Sequence, residues 1–102
     1  MIKYSLDVKS EWLELSIHGH SNQPTVKING TDFAVVCGMV SAASQMCVCG
    51  LREYGKQCKI MEYKEGALRV KARNNVVSQA LMMSCMRTLN AIKQQFPSEF
   101  MR

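Results

Sequence analysis

The alternation of apolar and polar side chains in the first 18 residues constrains the fold more than any other feature. Apolar residues occupy every second position of residues 2–9 and again of residues 12–18. A period of two is typical of a strand with one buried and one exposed face. Because only Ser10 and Glu11 separate the two runs, the pattern predicts an antiparallel hairpin. Its inward residues are Ile2, Tyr4, Leu6 and Val8 in the first strand and Leu13, Leu15 and Ile17 in the second.

The first helical pattern covers residues 33–53. Apolar side chains recur there at intervals of three and four residues, and Gly55 is the predicted end. Thr31 or Asp32 is the predicted N-cap, since either side chain can accept a hydrogen bond from the first turn. Residues 33–51 carry no charge over 19 positions, which is close to a membrane-spanning length. Serines, glycines and a glutamine interrupt them, so we interpret the segment as a buried helix and expect no membrane association.

The second helical pattern starts near Asn74 or Asn75, runs to about Gln95 and ends before Pro97. Its apolar residues fall on two flanks. The first flank contains Val77, Ala80, Leu81, Ser84, Cys85, Thr88, Ile92 and Phe96, and the second contains Met82, Met83, Met86 and Leu89. We assign the first flank to the sheet. Because one sheet covers only one side of a helix, we predict a homodimer through helices that buries the second flank.

Two further alternating segments, residues 57–64 and 67–73, predict a second pair of strands. The order is therefore β-β-α-β-β-α. It predicts an α+β fold, a two-layer sandwich in which two helices cover one face of a four-stranded, largely antiparallel sheet. The length fits a single domain over residues 1–102. Residues 19–31 are rich in turn formers and are expected to form a loop, in which residues 25–28 can add a short extended piece.

Composition limits the cellular setting and the chemistry. The chain has five cysteines, an odd number, and it begins with a strand pattern rather than a secretion signal. We therefore expect reduced thiols and a cytoplasmic protein. The net charge of +5 suits an acidic partner. However, the basic stripe of Arg69, Lys71 and Arg73 has no aromatic stacking platform, so we expect no direct nucleic-acid binding. Phosphate-binding glycine loops and paired metal-ligand spacings are missing from the sequence, so we predict no cofactor and no metal.

His20 and Cys37 are the candidate catalytic pair. His20 follows the second strand, and Cys37 lies in the first turns of the first helix. The N-terminus of a helix favours a thiolate over a thiol, and its backbone amides can form an oxyanion hole. A neighbouring histidine can accept the thiol proton and later return it to a leaving amine. Gly19 and Gly38, beside the pair, allow the backbone of a substrate to come close.

From the residues alone, other interpretations stay open. The pair can be an ordinary solvated histidine and a small buried thiol. A zinc site can be drawn from His18, His20, Cys37 and one further cysteine, although no paired ligand spacing supports it. His18 and His20 share strand parity, so both are expected to project from the same side. A redox sensor would need a second cysteine near Cys37, but Cys47 lies roughly 15 Å farther along the helix.

Four segments resemble the ribosomal-processing cysteine proteases called Prp. The Gly-His-Ser of residues 19–21 is similar to the family's Gly-His-Ala at the end of the second strand. The Cys-Gly-Met-Val-Ser of residues 37–41 is similar to its Cys-Ala-x-Val-Ser at the start of the first helix. The strand at residues 66–71 and the Phe-Pro ending within residues 94–100 also resemble family segments. The four occur in the family's order and span the whole chain.

The resemblance implies a homodimeric protease with a Cys/His dyad, in which Cys37 is the nucleophile and His20 the general base. The motif positions imply that Gly19, Ser21, Gly38 and Ser41 bind substrate. The implied substrate is ribosomal protein L27 carrying an N-terminal extension, which is removed after a Phe-containing motif. The stretch between the histidine and the cysteine is implied to cover the substrate as a mobile loop.

The sequence also departs from the family pattern. Many members have an aspartate three residues before the cysteine, where this chain has Ala34, while Asp32 lies five residues before it. Ser21 and Gly38 each replace an alanine. Helix capping is therefore the role expected of Asp32 rather than a third catalytic position. Two alternatives follow: a divergent Prp-like protease that acts on another protein, and a non-catalytic dimeric module associated with the ribosome or with nucleic acid.

Overall fold

The computed structural model describes residues 1–55 and 57–101. The predicted α+β sandwich with β-β-α-β-β-α order is confirmed, and one extra hairpin is inserted before the first helix. The strands are β1 (Ile2–Val8), β2 (Trp12–Gly19), β3 (Thr25–Ile28), β4 (Thr31–Ala34), β5 (Cys58–Lys64) and β6 (Ala67–Arg73). The helices are α1 (Val35–Gly50), continued by a wider turn at Leu51–Gly55, and α2 (Val76–Gln95), followed by a 3₁₀ turn at Pro97–Glu99.

The main sheet has the strand order β1-β2-β6-β5, and every neighbouring pair is antiparallel. Its two central strands bury their predicted inward residues, as in the pair of Leu15 and Val70, which are both fully buried. The edge strand β1 follows the predicted parity, but Val8 at its end is 62% exposed. The buried face carries the core, on which both helices pack.

Helix α2 presents to the core a face that combines Cys85 and Ile92 of the predicted flank with Met82 and Leu89 of the other flank. Its buried residues are Ser78, Met82, Cys85, Leu89 and Ile92. Residues 77, 80, 84 and 88 of the predicted flank are exposed. Burial of apolar area explains the rotation, because long methionine and leucine side chains remove more area from water than alanine, serine and threonine do. The second flank, from which the dimer was predicted, is therefore largely buried within the same chain.

The start of α1 also differs from the prediction. Thr31 and Asp32 lie in β4 and do not cap the helix; the carboxylate of Asp32 instead forms an ion pair with Lys27 at 3.0 Å. The helix begins at Val35, whose backbone N–H donates to the carbonyl oxygen of Pro24 at 2.9 Å. A backbone carbonyl from the preceding loop therefore satisfies a helix-start amide that a side-chain cap was expected to satisfy.

The predicted loop over residues 19–31 contains most of a two-stranded hairpin. Its extended piece is confirmed as β3, which pairs with β4. The turn is Asn29-Gly30, with φ of 50° and 82°. Positive φ at both positions is the geometry of a type I′ hairpin turn, for which Asn-Gly is the preferred sequence.

The uncharged segment of residues 33–51 packs on the sheet as predicted. The stretch Val35–Gly55 is long and apolar enough to cross a membrane, and its most apolar 18-residue window has a mean hydropathy of 1.4, yet 44% of that window is buried inside the fold.

Candidate active site

A cleft of about 180 Å³ lies where the end of β2, the first turns of α1 and the β5–β6 turn meet. His20 and Cys37 both line it, although they come from different elements. The floor is apolar and includes Ile17 and Leu68 from the buried face of the sheet. The cleft therefore combines a nucleophile, a titratable ring and an apolar surface.

Two glycines place His20 in this cleft. Gly19 has a φ of +108°, and a Cβ there would lie 1.9 Å from the carbonyl oxygen of Met1, so no other residue fits. Its N–H donates to the carbonyl oxygen of Gly66 at 2.9 Å, which ties the end of β2 to the β5–β6 turn. The ring of His20 lies against Gly66, where an added Cβ would be 2.2 Å from Nε2. The ring thus occupies space that only glycine leaves free.

The expectation that His18 and His20 project from the same side is wrong. His18 lies on the outer face of the sheet, where its Nε2 is 3.3 Å from Oε1 of Glu62. His20 lies beyond the strand, because the positive φ of Gly19 turns the chain before strand parity can continue. A zinc ion bound jointly by His18, His20 and Cys37 is therefore excluded by their placement on opposite sides of the sheet.

Cys37 is the third residue of α1 and is half-buried. Its sulfur contacts both polar backbone groups of Ser21. The Ser21 N–H donates to Sγ at 3.1 Å, and the thiol donates to the Ser21 carbonyl oxygen at 2.9 Å. Among the hydrogen bonds of residues 1–55 and 57–101, none joins Cys37 to His20. The thiol is therefore held by the residue that follows the histidine.

Ser21 is itself fixed from the far end of the chain. It is only 4% exposed, and its hydroxyl contacts the carbonyl oxygen of Gln23 at 2.8 Å and the carboxylate of Glu99. The hydrogen bond from Ser21, and a second from Ser98, hold the pKa of the Glu99 carboxyl below its usual value. Sequence reasoning missed Glu99, because it lies 78 positions after Ser21 and no local pattern links them.

The four residues that the family resemblance implies to bind substrate do not all line the cleft. Gly19 and Ser41 line the cleft. Ser21 lies buried against the thiol rather than in the open cleft. Gly38 is exposed at the start of α1, and a Cβ there would meet nothing within 4 Å.

The remaining thiols lie away from the cleft. Cys47 and Cys85 are buried together in the core, and the hydrogen bond with Cys85 and burial raise the pKa of the Cys47 thiol. Cys58 is half-buried in β5, and Cys49 is exposed on α1. Cys37 is thus the one thiol of the described chain that lines the cleft with a histidine.

Comparison with known proteins identifies the family and the fold of the chain. The family model described as cysteine protease Prp matches residues 1–101. A solved structure with the same fold is the essential ribosomal processing protease Prp from S. aureus, in complex with a covalently linked product peptide. It is 18% identical, with a TM-score of 0.74 over 99% of this chain and 96% of that chain. No curated protein matches the chain significantly in sequence.

Proposed function

We propose, since this chain belongs to the cysteine protease Prp family, that it cleaves peptide bonds with Cys37 as nucleophile and His20 as general base. The observation that carries this assignment is that both side chains line one cleft beside the N-terminus of α1. The family membership rules out the non-catalytic module among the alternatives.

The proposed reaction proceeds through an acyl-enzyme. His20 accepts the proton of the Cys37 thiol, and the sulfur attacks the scissile carbonyl carbon while the carbonyl oxygen takes the electron pair. Collapse of this intermediate breaks the C–N bond, and His20 gives its proton to the leaving amine. Water then attacks the thioester with His20 again as base, which releases the new carboxylate and restores the thiol.

The resting geometry supports these roles and indicates one rearrangement. The thiol proton points to the carbonyl oxygen of Ser21, so it must turn to the His20 ring before transfer. Catalytic hydrogen bonds often form only with substrate bound. The backbone amide of Val35 already donates to Pro24. We assign the amides that follow it in the first turn to the oxyanion, since a helix start offers donors without internal acceptors.

The proposed substrate is ribosomal protein L27 with its N-terminal extension, cleaved in the cytoplasm, where the five cysteines stay reduced. Two observations support a peptide in this cleft. The fold neighbour from S. aureus is a ribosomal processing protease that holds a product peptide. In this chain, the apolar floor formed by Val40 and Leu68 suits an apolar side chain of the substrate. Gly19 and Ser41, which line the cleft, are proposed to contact the backbone of the substrate. Ser21 and Gly38 are proposed to contact it at the inner and outer ends of the cleft.

The β3–β4 hairpin is the proposed cover for the bound peptide. One of its faces carries Val26, Ile28 and Phe33, which are 47%, 54% and 48% exposed. An isolated two-stranded hairpin is only marginally stable without a partner layer. An apolar peptide in the cleft would supply that partner, so the hairpin would close over the bound peptide while the acyl-enzyme forms.

We expect the purified protein to cut N-terminally extended L27 once, within the extension, as read by intact mass. L27 lacking the extension is the control and should remain intact. An uncut extension together with rapid alkylation of Cys37 would contradict L27 as the substrate and would favour the divergent protease. An uncut extension together with slow alkylation of Cys37 would contradict the dyad.

We also propose that the protein is a homodimer through its helices, by a surface that keeps Met83 of the predicted flank and adds Met46 of α1. Met82 and Leu89 are buried in the core, but Met46 on α1 and Met83 on α2 remain 76% and 50% exposed. Exposed methionines on two packed helices suit a second copy of the chain.

We expect Met83→Glu to shift the species seen by sedimentation velocity from dimer to monomer, because the dimer interface would bury the introduced carboxylate without a charged partner. A monomeric wild-type protein would contradict the proposal, and Lys9→Glu is the control.

A further inference from the structure

The thiol of Cys37 is connected to the C-terminal part of the chain through a single residue. Ser21 bonds to the sulfur with its backbone and to Glu99 with its hydroxyl. Two contacts of one residue with one sulfur fix the sulfur relative to that residue. The contacts that hold Ser21 in place therefore also fix the direction of its backbone N–H relative to Sγ of Cys37.

The segment that carries Glu99 is firmly anchored. Phe100, the next residue, is 1% exposed, and its ring packs edge-on against Tyr4 with centroids 5.8 Å apart. Phe100 also forms a parallel bridge with Ile2, and the Met101 N–H donates to the Ile2 carbonyl oxygen at 2.8 Å. The backbone that follows Glu99 is thus anchored to the edge strand β1, and the carboxylate itself accepts hydrogen bonds from Ser21 and Ser98.

The remaining contacts of the loop after His20 either stay within the loop or end on the same carboxylate, to which the backbone of Gln23 also hydrogen-bonds. Ser21 also bonds to the Gln23 carbonyl oxygen, which belongs to the same loop and moves with it. Pro24 is tied to Val35, at the far end of the loop. The hydrogen bond to Glu99 is the contact of the Ser21 hydroxyl that reaches outside the loop, and a carboxylate acceptor makes it stronger than a neutral pair.

We propose that Glu99 is a positioning residue for the catalytic cysteine, acting through Ser21 to keep the Ser21 backbone N–H on the sulfur of Cys37. This inference rests on the proposed function, since it assumes that Cys37 is the nucleophile. Glu99 does not touch the reacting atoms. Its role is to keep the Ser21 N–H on the sulfur, because that donor stabilises the thiolate once the thiol proton has left the Ser21 carbonyl oxygen and moved to His20.

The test is alkylation of Cys37 by iodoacetamide in the Glu99→Ala variant. We expect the rate at neutral pH to fall about 10-fold, the effect of one lost hydrogen bond to a charged group. The rate at about pH 10, where thiols are ionised in any case, should change less than about 2-fold. Glu99→Gln should retain most of the rate at neutral pH, because its amide oxygen can still accept the Ser21 hydroxyl.

Two further variants separate positioning from stability. Ser21→Ala keeps the backbone N–H and removes only the hydroxyl, so it should reproduce most of the loss seen in Glu99→Ala, and the double variant should show no loss beyond that of Glu99→Ala. Glu11→Ala removes a carboxylate that lies 4.0 Å from Arg73, away from the cleft, and should leave alkylation unchanged. The inference would be overturned if Glu99→Ala lowered the melting temperature but left the alkylation rate of Cys37 unchanged. It would also be overturned if the losses of alkylation rate in Ser21→Ala and Glu99→Ala added up in the double variant.

Failure of the inference can be told apart from failure of the proposed function. If Cys37 is not the nucleophile, Cys37→Ala will cleave as well as the wild-type protein. If only the inference fails, Cys37→Ala will be inactive while Glu99→Ala alkylates and cleaves at the wild-type rate.

Discussion

Cys37→Ala is expected to reduce cleavage about 10⁴-fold or more, because the variant cannot form the acyl-enzyme. Cys37→Ser should fail to a similar extent, since its hydroxyl is far less readily ionised than a thiol. In the wild-type protein, iodoacetamide at neutral pH should label Cys37 faster than the other four cysteines. The measurements are initial cleavage rates and peptide mapping of the alkylated cysteines.

The chain supplies its own reference for this experiment. Cys49 is exposed on the same helix but far along it, so its labelling rate reports an accessible, ordinary thiol. Cys47 and Cys85 are buried and should label slowest. Cys49→Ala should cleave at the wild-type rate. Equal labelling of Cys37 and Cys49, or cleavage that survives Cys37→Ala, would contradict the nucleophile assignment.

His20→Ala is expected to lower cleavage by about 10²- to 10⁴-fold, the usual contribution of a general acid–base group. His18→Ala is the matched control, because His18 is the other histidine and lies on the outer face of the sheet. The loss should fall on kcat more than on KM, since the ring acts on the proton rather than on substrate binding. A similar loss from both substitutions would contradict the assignment.

Gly66→Ala tests the position of the ring without removing it. The added Cβ would lie 2.2 Å from Nε2 of His20, and the φ of +78° already disfavours alanine. Since the obstructing atoms belong to an exposed side chain, the ring can move away. We therefore expect a loss of stability of about 1–2 kcal/mol from the backbone conformation, and a loss of cleavage activity greater than this loss of stability explains. Thermal unfolding and cleavage rates measured together separate the two effects.

Local patterns predict most of this fold because its strands alternate cleanly. The hairpin of β1 and β2 and the pair of β5 and β6 follow from a period of two, and Asn75 caps α2 within the predicted range, with its side chain accepting from the Ser78 N–H at 2.8 Å. Motif positions also predict that His20 and Cys37 belong to one site. These features depend on neighbours in sequence, which a sequence pattern records directly.

The features that the sequence does not reveal depend on contacts between distant residues. The rotation of α2 that buries Met82 and Leu89 is set by the space between helix and sheet. The start of α1 is set by a carbonyl of Pro24 rather than by a capping side chain. The link between Ser21 and Glu99 joins opposite ends of the chain. None of these has a periodicity or a local motif from which it could be inferred.

The bridge between Ile2 and Phe100 has a consequence for the order of folding. It closes a loop that contains nearly all of the described chain, and closing a long loop costs entropy that must be offset before such contacts can form. Proteins in which distant residues pair fold more slowly than those built from local contacts. We therefore expect the two hairpins and α2 to form early and the arrangement around the thiol to form last. A folding intermediate would then have the Cys37 thiol without the hydrogen bond from the Ser21 N–H. The protein would therefore become able to cleave peptides only in its native state.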